Sequence, residues 1–413
     1  MYQYSVTMLD ALRELAVDTS DEWIVLLDDA AFGGSAVDQE GRWIVADLEP
    51  PTPQGRARKA VKAVIPEGTP RDIVRRVMRL VKRAKETGSG SLDTIHHRPD
   101  LRAWFDHLDV ELVLYPTPNP LSFEVGVPYV MAVHDLQHRL QPEFAEASQG
   151  GQWEMREYVF RNAARTATLL LADSETGRED LVECYGEFGL TEERVKVLPF
   201  LPAPYLSPSV SRSHASEIRR KYRLPERFFF YPAQFWPHKN HARIIEALAL
   251  VESRHGVRAS VVFCGTRSGR LRRQTFKEVM TLARDRGMTG RVHYLGYVGD
   301  DEMSVLYAEA VALVMPTFFG PTNIPVVEAW YLGCPVLTSD LRGIREHSGD
   351  AALLVDPRSV EDIAAGLHRL WTDETLRAGL SAAGRARLRH YTPSDYRERL
   401  TEILDEAKAR VGA

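Results

Sequence analysis

Short apolar segments alternate along most of the chain with longer segments of helical periodicity. After a helical pattern in residues 1–16, residues 22–29, 128–135 and 168–174 carry apolar residues at consecutive positions and are short enough for strands. Strands that are apolar on both faces are typical of parallel sheets covered by helices on both sides. The pattern therefore predicts an α/β fold built on parallel sheets.

Residues 201–223 interrupt this alternation; the segment begins rich in Pro and Ser and is predicted to be a linker that leads into a new helix. A second series of strands and helices follows it. We expect an N-terminal Rossmann-like domain over residues 1–200 and a second one over 201–390. Pro393 separates a last amphipathic helix from the second domain, so we expect residues 391–413 to form a third unit. Two doubly wound domains would face each other across a central cleft, where the carboxyl ends of the strands bind ligands.

The composition narrows the classes of protein. The chain has 413 residues, of which 44% are hydrophobic and 26% charged, and its net charge is −5, which argues against a nucleic-acid partner. Cys184, Cys264 and Cys334 are far apart and match neither a disulfide framework nor a metal site. With no signal-peptide pattern and no long apolar segment, we expect a cytoplasmic location.

The segment "PTNIPVVEAW" combines a helix start with one isolated carboxylate, Glu328. Pro325 suits a first helical turn, and Thr322 and Asn323 are good capping residues before it. Backbone N–H groups of Thr322, Asn323 and Ile324 would then be free to bind phosphate, and Glu328, one turn in, could accept hydrogen bonds from ribose hydroxyls. The alternative is an acidic residue that only complements the helix dipole.

A second segment, "YPAQFWPHKNHARIIEAL", places Gln234, Trp236, His238 and Lys239 in a loop between a predicted strand and a helix opened by Asn240. A lysine in such a loop can bind phosphate as a point charge. The alternative is a solvated loop lysine.

A third group, His134, Asp135 and His138, lies just past the end of a predicted strand. A His-Asp pair there is compatible with acid/base chemistry. Histidines at strand ends also serve as hydrogen-bonded structural residues. A metal site is not expected, because no third ligand stands at a suitable spacing.

Together these segments resemble the retaining glycosyltransferases of family four, which have the GT-B fold. The resemblance extends from the first helix to the last and is strongest between Phe228 and Pro357. It is carried by "YPAQFWPHKNH", "YLGYV", "LYAEA" and "PTNIPVVEAWYLGCPVLTSD" followed by "GDAALLVDP". It implies a C-terminal helix that crosses back onto the N-terminal domain.

The resemblance also implies roles for the candidate residues. Glu328 would hold the ribose of a nucleotide sugar and Lys239 its diphosphate, while the amides of residues 322–324 would cradle phosphate and sugar. Backbone groups near Tyr297 and Val298 would meet the base, and His134 would lie beside the donor sugar and the acceptor.

The activity implied is the transfer of a hexose, with retention of configuration, to a glycan, glycolipid or small-molecule hydroxyl. No metal ion or other cofactor is implied, because the nucleotide sugar is a substrate. The base would be guanine or uracil, and the segment "VHDLQHRLQPEF" is similar to mannosyl- and rhamnosyl-type members.

Three departures from the family pattern affect these expectations. Gly320 stands where members have a second, sugar-binding glutamate, and Pro321 and Asn323 replace loop glycines, so sugar contacts would pass to Thr322 and Asn323. Gln234 stands where members have an arginine, which removes one positive charge unless another basic residue supplies it; Arg267 and Arg342 are candidates. The chain also opens on a helix where members open on a strand, so a first strand is missing or the sheet is rearranged.

Further alternatives remain open. These departures favour a non-catalytic binding or partner subunit, whereas the presence of Glu328, Lys239 and His134 favours an enzyme. A phosphorylase or an epimerase of the same fold would explain the paired motifs less well. Residues 71–86 form a basic amphipathic helix pattern, which indicates either peripheral contact with the inner membrane surface or a wet surface helix.

Overall fold

The computed structural model describes residues 2–18, 23–27, 43–47, 92–320 and 322–412. The predicted basic helix at 71–86 lies outside these residues. Among the described residues, every helix is too short or too polar to traverse a lipid bilayer.

The strands of the described residues form three parallel sheets. A two-stranded sheet pairs β1 with β2, a four-stranded sheet has the order β3-β4-β5-β6, and a six-stranded sheet has the order β12-β11-β10-β7-β8-β9. The strands are β1 Trp23–Leu27, β2 Trp43–Asp47, β3 Val113–Tyr115, β4 Tyr129–Ala132, β5 Leu169–Ala172, β6 Val195–Val197, β7 Phe229–Pro232, β8 Val261–Cys264, β9 Val292–Tyr294, β10 Ala312–Met315, β11 Val336–Ser339 and β12 Leu353–Val355.

Helices connect and cover these strands. The α-helices are Tyr2–Asp18, Pro99–His107, Leu121–Glu124, Gln137–Leu140, Ala145–Ser148, Gln152–Thr166, Glu175–Tyr185, Arg212–Tyr222, His241–His255, Arg270–Asp285, Asp300–Glu309, Ile324–Leu332, Arg342–Ser348, Val360–Thr372, Glu374–Leu388 and Pro393–Val411. Strands β4, β5, β8, β10 and β11 are buried at every position, because helices shield both faces.

The strand order of the six-stranded sheet creates its binding crevice. From β7 the chain winds outwards through β8 and β9 and then returns to place β10 on the other side of β7. Loops that leave the carboxyl ends of neighbouring strands in opposite directions open a crevice between them. The loops after β7 and β10 therefore flank this crevice, and they carry Lys239 and Asn323.

The last helix returns to the first half of the chain, as expected. Tyr396, Leu400 and Ile403 on Pro393–Val411 share a buried cluster with β4, β5 and the first helix. The helix starts sharply because Pro393 occupies its first turn and Thr392 and Asp395 form a reciprocal capping box. The sheets and this crossing helix agree with the predicted fold class.

Several local elements differ from the sequence prediction. Strand β2 and the helix Pro99–His107 were not predicted. By contrast, the prediction that the linker at 201–223 leads into a new helix is confirmed: the segment is irregular to Ser211, whose hydroxyl caps a helix that begins at Arg212. Within the described residues, the N-terminal four-stranded sheet is flanked by the helix Tyr2–Asp18, which packs Tyr4, Met8 and Leu12 against it.

Candidate active site

The loops after β7 and β10 are joined by hydrogen bonds at the crevice. The backbone N–H of Phe318 and the Thr317 hydroxyl both donate to the carbonyl of His238, at 2.8 and 3.1 Å. Asn240, in a left-handed conformation with φ +59°, donates its side-chain amide to the carbonyl of Pro316 at 2.7 Å. These bonds hold the short 3₁₀ turn Pro237–Lys239 in place.

Lys239 is a half-buried cation at this crevice, and none of the described residues forms a hydrogen bond or ion pair with its ammonium group. Burial lowers the pKa of Lys239 to about 8, although the carboxylates of Asp135 and Glu146 oppose this change. Both carboxylates belong to the N-terminal half of the chain. The ammonium group is therefore positioned for an anion in the cleft.

Glu328 is the fifth residue of the helix Ile324–Leu332 and is only 4% exposed. Its Oε2 accepts from the Tyr307 hydroxyl at 2.7 Å and its Oε1 from the Tyr205 hydroxyl at 3.4 Å. Burial raises the pKa of Glu328, and the two tyrosine hydroxyls oppose this rise. A helix dipole acts mainly within the first turn, so the dipole interpretation does not explain a buried carboxylate one turn further in.

The segment before this helix differs in part from the prediction. Asn323 is the N-cap residue, but its side chain does not cap the helix, and its Nδ2 is buried without a partner among the described residues. Thr322 does not cap either, because its hydroxyl donates to Oδ2 of Asp173 at 2.5 Å across the cleft. The prediction that these two side chains cap the helix was therefore wrong. The backbone N–H groups of Thr322, Asn323 and Ile324 remain candidate hydrogen-bond donors to a phosphate, since the described residues provide no acceptor for them.

His134 lies across the cleft, at the carboxyl end of β4. Its Nε2–H donates to the carbonyl of Pro116 at 2.9 Å, which leaves Nδ1 as the acceptor. Its ring is in edge contact with Tyr4 and stacks on Phe200, with centroid distances of 4.6 and 5.8 Å. Burial lowers the pKa of His134 to about 4, so the ring is neutral near pH 7.

No hydrogen bond joins Asp135 to His134 or to His138, so the His-Asp pair considered for acid/base chemistry does not form. The Asp135 carboxylate pairs with Arg156 at 2.5 Å, and this cation lowers the pKa of Asp135 against the effect of burial. His138 is fully buried, with Nε2 3.1 Å from Oε1 of Glu157 and 3.0 Å from the Tyr185 hydroxyl. Of the three residues, only His134 remains a candidate for contact with a substrate.

The structural role of His138 can be tested by stability. His138→Gln is expected to lower the free energy of unfolding by about 1–3 kcal/mol, because Glu157 loses one of its buried partners. Chemical denaturation checks this, with the exposed His390→Gln as the matched control. Unchanged stability together with lost activity would instead assign His138 to the reaction.

Two more candidate segments lie along the same edge of the six-stranded sheet. Tyr297, 82% exposed, and the buried Val298 follow β9. The backbone N–H of Gly265 donates to the carbonyl of Gly296 at 2.9 Å, so the loops after β8 and β9 are adjacent. Gly265, at φ +130°, approaches so closely that a Cβ would lie 2.6 Å from the carbonyl oxygen of Ala233. The loops after β7, β8 and β9 thus form one continuous surface.

Gln234 is exposed and its Oε1 accepts from Nε1 of Trp236 at 3.0 Å and from Nη1 of Arg272 at 2.5 Å. The cations suggested as replacements are engaged elsewhere. Arg267 lies over the rings of Phe276 and Tyr294. Arg342 pairs with Asp180 at 2.5 Å on the other side of the cleft. Arg272, the residue that does reach Gln234, was missed by sequence reasoning.

Polar contacts connect the two halves across the cleft. His238 donates its backbone N–H and its Nδ1–H to Oε1 of Glu146, at 3.1 and 2.7 Å. Glu346 accepts from the backbone N–H groups of Glu175 and Thr176, at 2.9 and 2.8 Å, and so caps the helix Glu175–Tyr185. These contacts place the His134 side of the cleft opposite Lys239.

Comparison with known proteins finds a family match over the part of the chain that contains the six-stranded sheet. Residues 215–387 match the family model described as glycosyl transferases group 1. O-antigen chain mannosyltransferase B of Escherichia coli is 26% identical over 303 residues, which span 72% of this chain and 74% of that protein. D-inositol 3-phosphate glycosyltransferase of Salinispora tropica is 27% identical over 299 residues, 69% of this chain and 60% of the relative.

Solved structures share the fold. WaaG, a glycosyltransferase involved in lipopolysaccharide biosynthesis, superposes with a TM-score of 0.62 at 17% identity, over 97% of this chain and 95% of its own. HepE of Anabaena, solved in complex with UDP-glucose, gives a TM-score of 0.61 at 21% identity, over 74% of this chain and 82% of its own. The predicted fold class is confirmed.

Proposed function

We propose that this chain, which has a GT-B fold, is a group 1 glycosyltransferase that transfers a hexose from a nucleotide sugar, with retention of anomeric configuration and without a metal ion. The observation that carries the proposal is that Lys239 and Glu328 lie along the same edge of the six-stranded sheet. One is a half-buried cation without an anionic partner among the described residues, and the other is a buried carboxylate. Both lie at the carboxyl edge of the six-stranded sheet, within the residues that match the family.

The proposed position of the nucleotide sugar follows from the positions of Lys239 and Glu328. The carboxylate of Glu328, which is only 4% exposed, accepts hydrogen bonds from the two ribose hydroxyls, and these bonds are stronger in a buried environment. The ammonium group of Lys239 and the backbone N–H groups of Thr322, Asn323 and Ile324 bind the diphosphate. Backbone groups at Tyr297 and Val298 bind the base, because the loop after β9 adjoins the loop after β8.

The reaction needs stabilisation of a departing diphosphate more than it needs a nucleophilic side chain. The acceptor hydroxyl attacks the anomeric carbon from the face that the diphosphate leaves, so a new C–O bond forms as the bond to the diphosphate breaks. Negative charge grows on the phosphate oxygens, one of which takes up the hydroxyl proton. Lys239 and the N-terminus of the helix Ile324–Leu332 are fixed before the reaction and oppose this charge. His134, neutral at pH 7, contacts sugar hydroxyls through its acceptor Nδ1.

We assign mannose as the sugar and guanine as the base, with a UDP-linked hexose as the alternative. The similarity to an O-antigen chain mannosyltransferase supports mannose and favours a glycan as the acceptor. Contact of residues 71–86 with a membrane surface remains a hypothesis, because these residues lie outside the described part of the chain.

The stereochemical proposal is tested by supplying GDP-mannose with methyl glycosides as acceptors. Nuclear magnetic resonance then determines the anomeric configuration of the mannose in the transfer product. We expect an α-linked product from the α-linked donor, at a rate that excess chelator leaves unchanged. A β-linked product would contradict retention. A chelator-sensitive rate that is restored by Mg²⁺ would contradict metal independence.

A further inference from the structure

Arg272 lies at the same edge of the six-stranded sheet as Lys239, in the segment that follows the neighbouring strand β8. It belongs to the first turn of the helix Arg270–Asp285, which follows β8. Strands β7 and β8 end in register, with Pro232 paired to Cys264, so the residues that follow them are adjacent. The guanidinium group donates to Oε1 of Gln234 at 2.5 Å and lies 4.6 Å from the ring centroid of Trp236.

The contacts of Arg272 are with neutral groups, as are those of the half-buried Arg243, whereas several other half-buried arginines pair with carboxylates. Arg139, Arg156 and Arg219 have comparable burial, and each pairs with a carboxylate. Arg272 forms no ion pair with any described residue, and its Nε is buried without a hydrogen-bond partner there. A neutral amide and an aromatic ring hold the group in place but leave its charge without a partner. An anionic ligand would satisfy both the charge and the remaining N–H donors.

We propose that Arg272 binds the diphosphate of the nucleotide donor and provides, with Lys239, the second positive charge of that site. This inference rests on the proposed function, because it assumes that the anion at this edge is a nucleotide diphosphate. Gln234 is a positioning residue, since its side-chain oxygen aims the guanidinium group from the loop that also carries Lys239. The planar guanidinium suits two phosphate oxygens at once, which a lysine cannot match.

The first test compares Arg272→Gln with wild type by calorimetric titration of GDP and UDP. Loss of a charge-assisted contact is expected to weaken diphosphate binding by about tenfold to a hundredfold. Binding of guanosine and uridine, followed by nuclear magnetic resonance, should stay unchanged because neither carries phosphate. The matched control is Arg273→Gln, which removes the exposed neighbouring charge on the same helix and should bind as wild type does.

The second test transfers the guanidinium group from position 272 to position 234. The double variant Gln234→Arg with Arg272→Gln places a guanidinium on the other side of the Arg272–Gln234 pair and is expected to recover at least part of the lost diphosphate affinity. A double variant that binds no better than Arg272→Gln would contradict the assignment, as would equal losses for diphosphate and nucleoside. If wild type binds no nucleotide, the proposed function fails. If wild type binds and Arg272→Gln binds equally well, only the role of Arg272 fails.

Discussion

Glu328→Gln is expected to weaken the binding of a nucleotide diphosphate by about a hundredfold, because each hydrogen bond to a charged acceptor contributes about 1.5–3 kcal/mol. The substitution keeps the size of the side chain and its place beside Tyr307, but it removes the negative charge and one of the two acceptor oxygens. Calorimetric titration measures the loss.

Deoxynucleotides show whether the lost contact is to ribose. Wild type should prefer a ribonucleotide to its 2′-deoxy form, and Glu328→Gln should bind the two nearly equally. Tyr205→Phe is the matched control, because its hydroxyl donates to Glu328 at 3.4 Å but the carboxylate remains. If Glu328→Gln bound nucleotides as tightly as wild type, the carboxylate would not hold ribose.

The pH dependence of this binding has a defined sign. Burial raises the pKa of Glu328, and the carboxylate is the form that accepts two ribose hydroxyls. Nucleotide affinity should therefore be complete above this raised pKa and fall as the pH decreases through it. The acidic limb should be absent in Glu328→Gln.

Lys239→Met is expected to lower kcat by about a hundredfold to a thousandfold, which is the usual effect of removing one group that stabilises charge in a transition state. The growing charge on the leaving diphosphate would then face an apolar side chain. The exposed Lys277→Met is the matched control and should turn over as wild type does. A Lys239→Met enzyme with wild-type turnover would exclude the diphosphate role.

The pH dependence of turnover shows whether the positive charge of Lys239, and not only the size of its side chain, is required. Its pKa is lowered to about 8, so the free enzyme holds the cation below that pH and loses it above. We expect kcat/KM to fall as the pH rises through about 8. The limb in kcat should lie at a higher pH, since the bound diphosphate favours the ammonium form. Lys239→Arg should lose the alkaline limb, because arginine stays charged.

The parts of this protein that were predictable from sequence depend on local patterns. Continuous apolar strands indicated parallel sheets, although the described residues form three sheets and not one for each of two domains. A parallel sheet places the loops that carry ligand-binding residues at one edge. Pro325, within the first turn, marked the start of the helix that carries Glu328. The position of Lys239 followed from the strand before it and from Asn240, which opens the next helix.

Contacts between distant segments were not predictable, because they depend on how strands pair and how the two halves meet. The bond between Thr322 and Asp173 joins residues from the two sides of the cleft, so the hydroxyl was assigned wrongly to a cap. The pairing of Gln234 with Arg272 requires the register of β7 and β8. A His-Asp pair was considered because His134, Asp135 and His138 are close in sequence, whereas Arg156, on a later helix, is the actual partner of Asp135.

Thermal unfolding of the purified chain against UDP, GDP, dTDP and ADP sugars tests nucleotide-sugar binding most directly. A ligand that binds the folded state at a hundred times its Kd adds about 2.7 kcal/mol to stability, so the midpoint rises measurably. We expect a rise with one base, GDP-mannose first, and a much smaller rise in Glu328→Gln. A well-folded sample whose midpoint is unmoved by all four classes would contradict a nucleotide-sugar site.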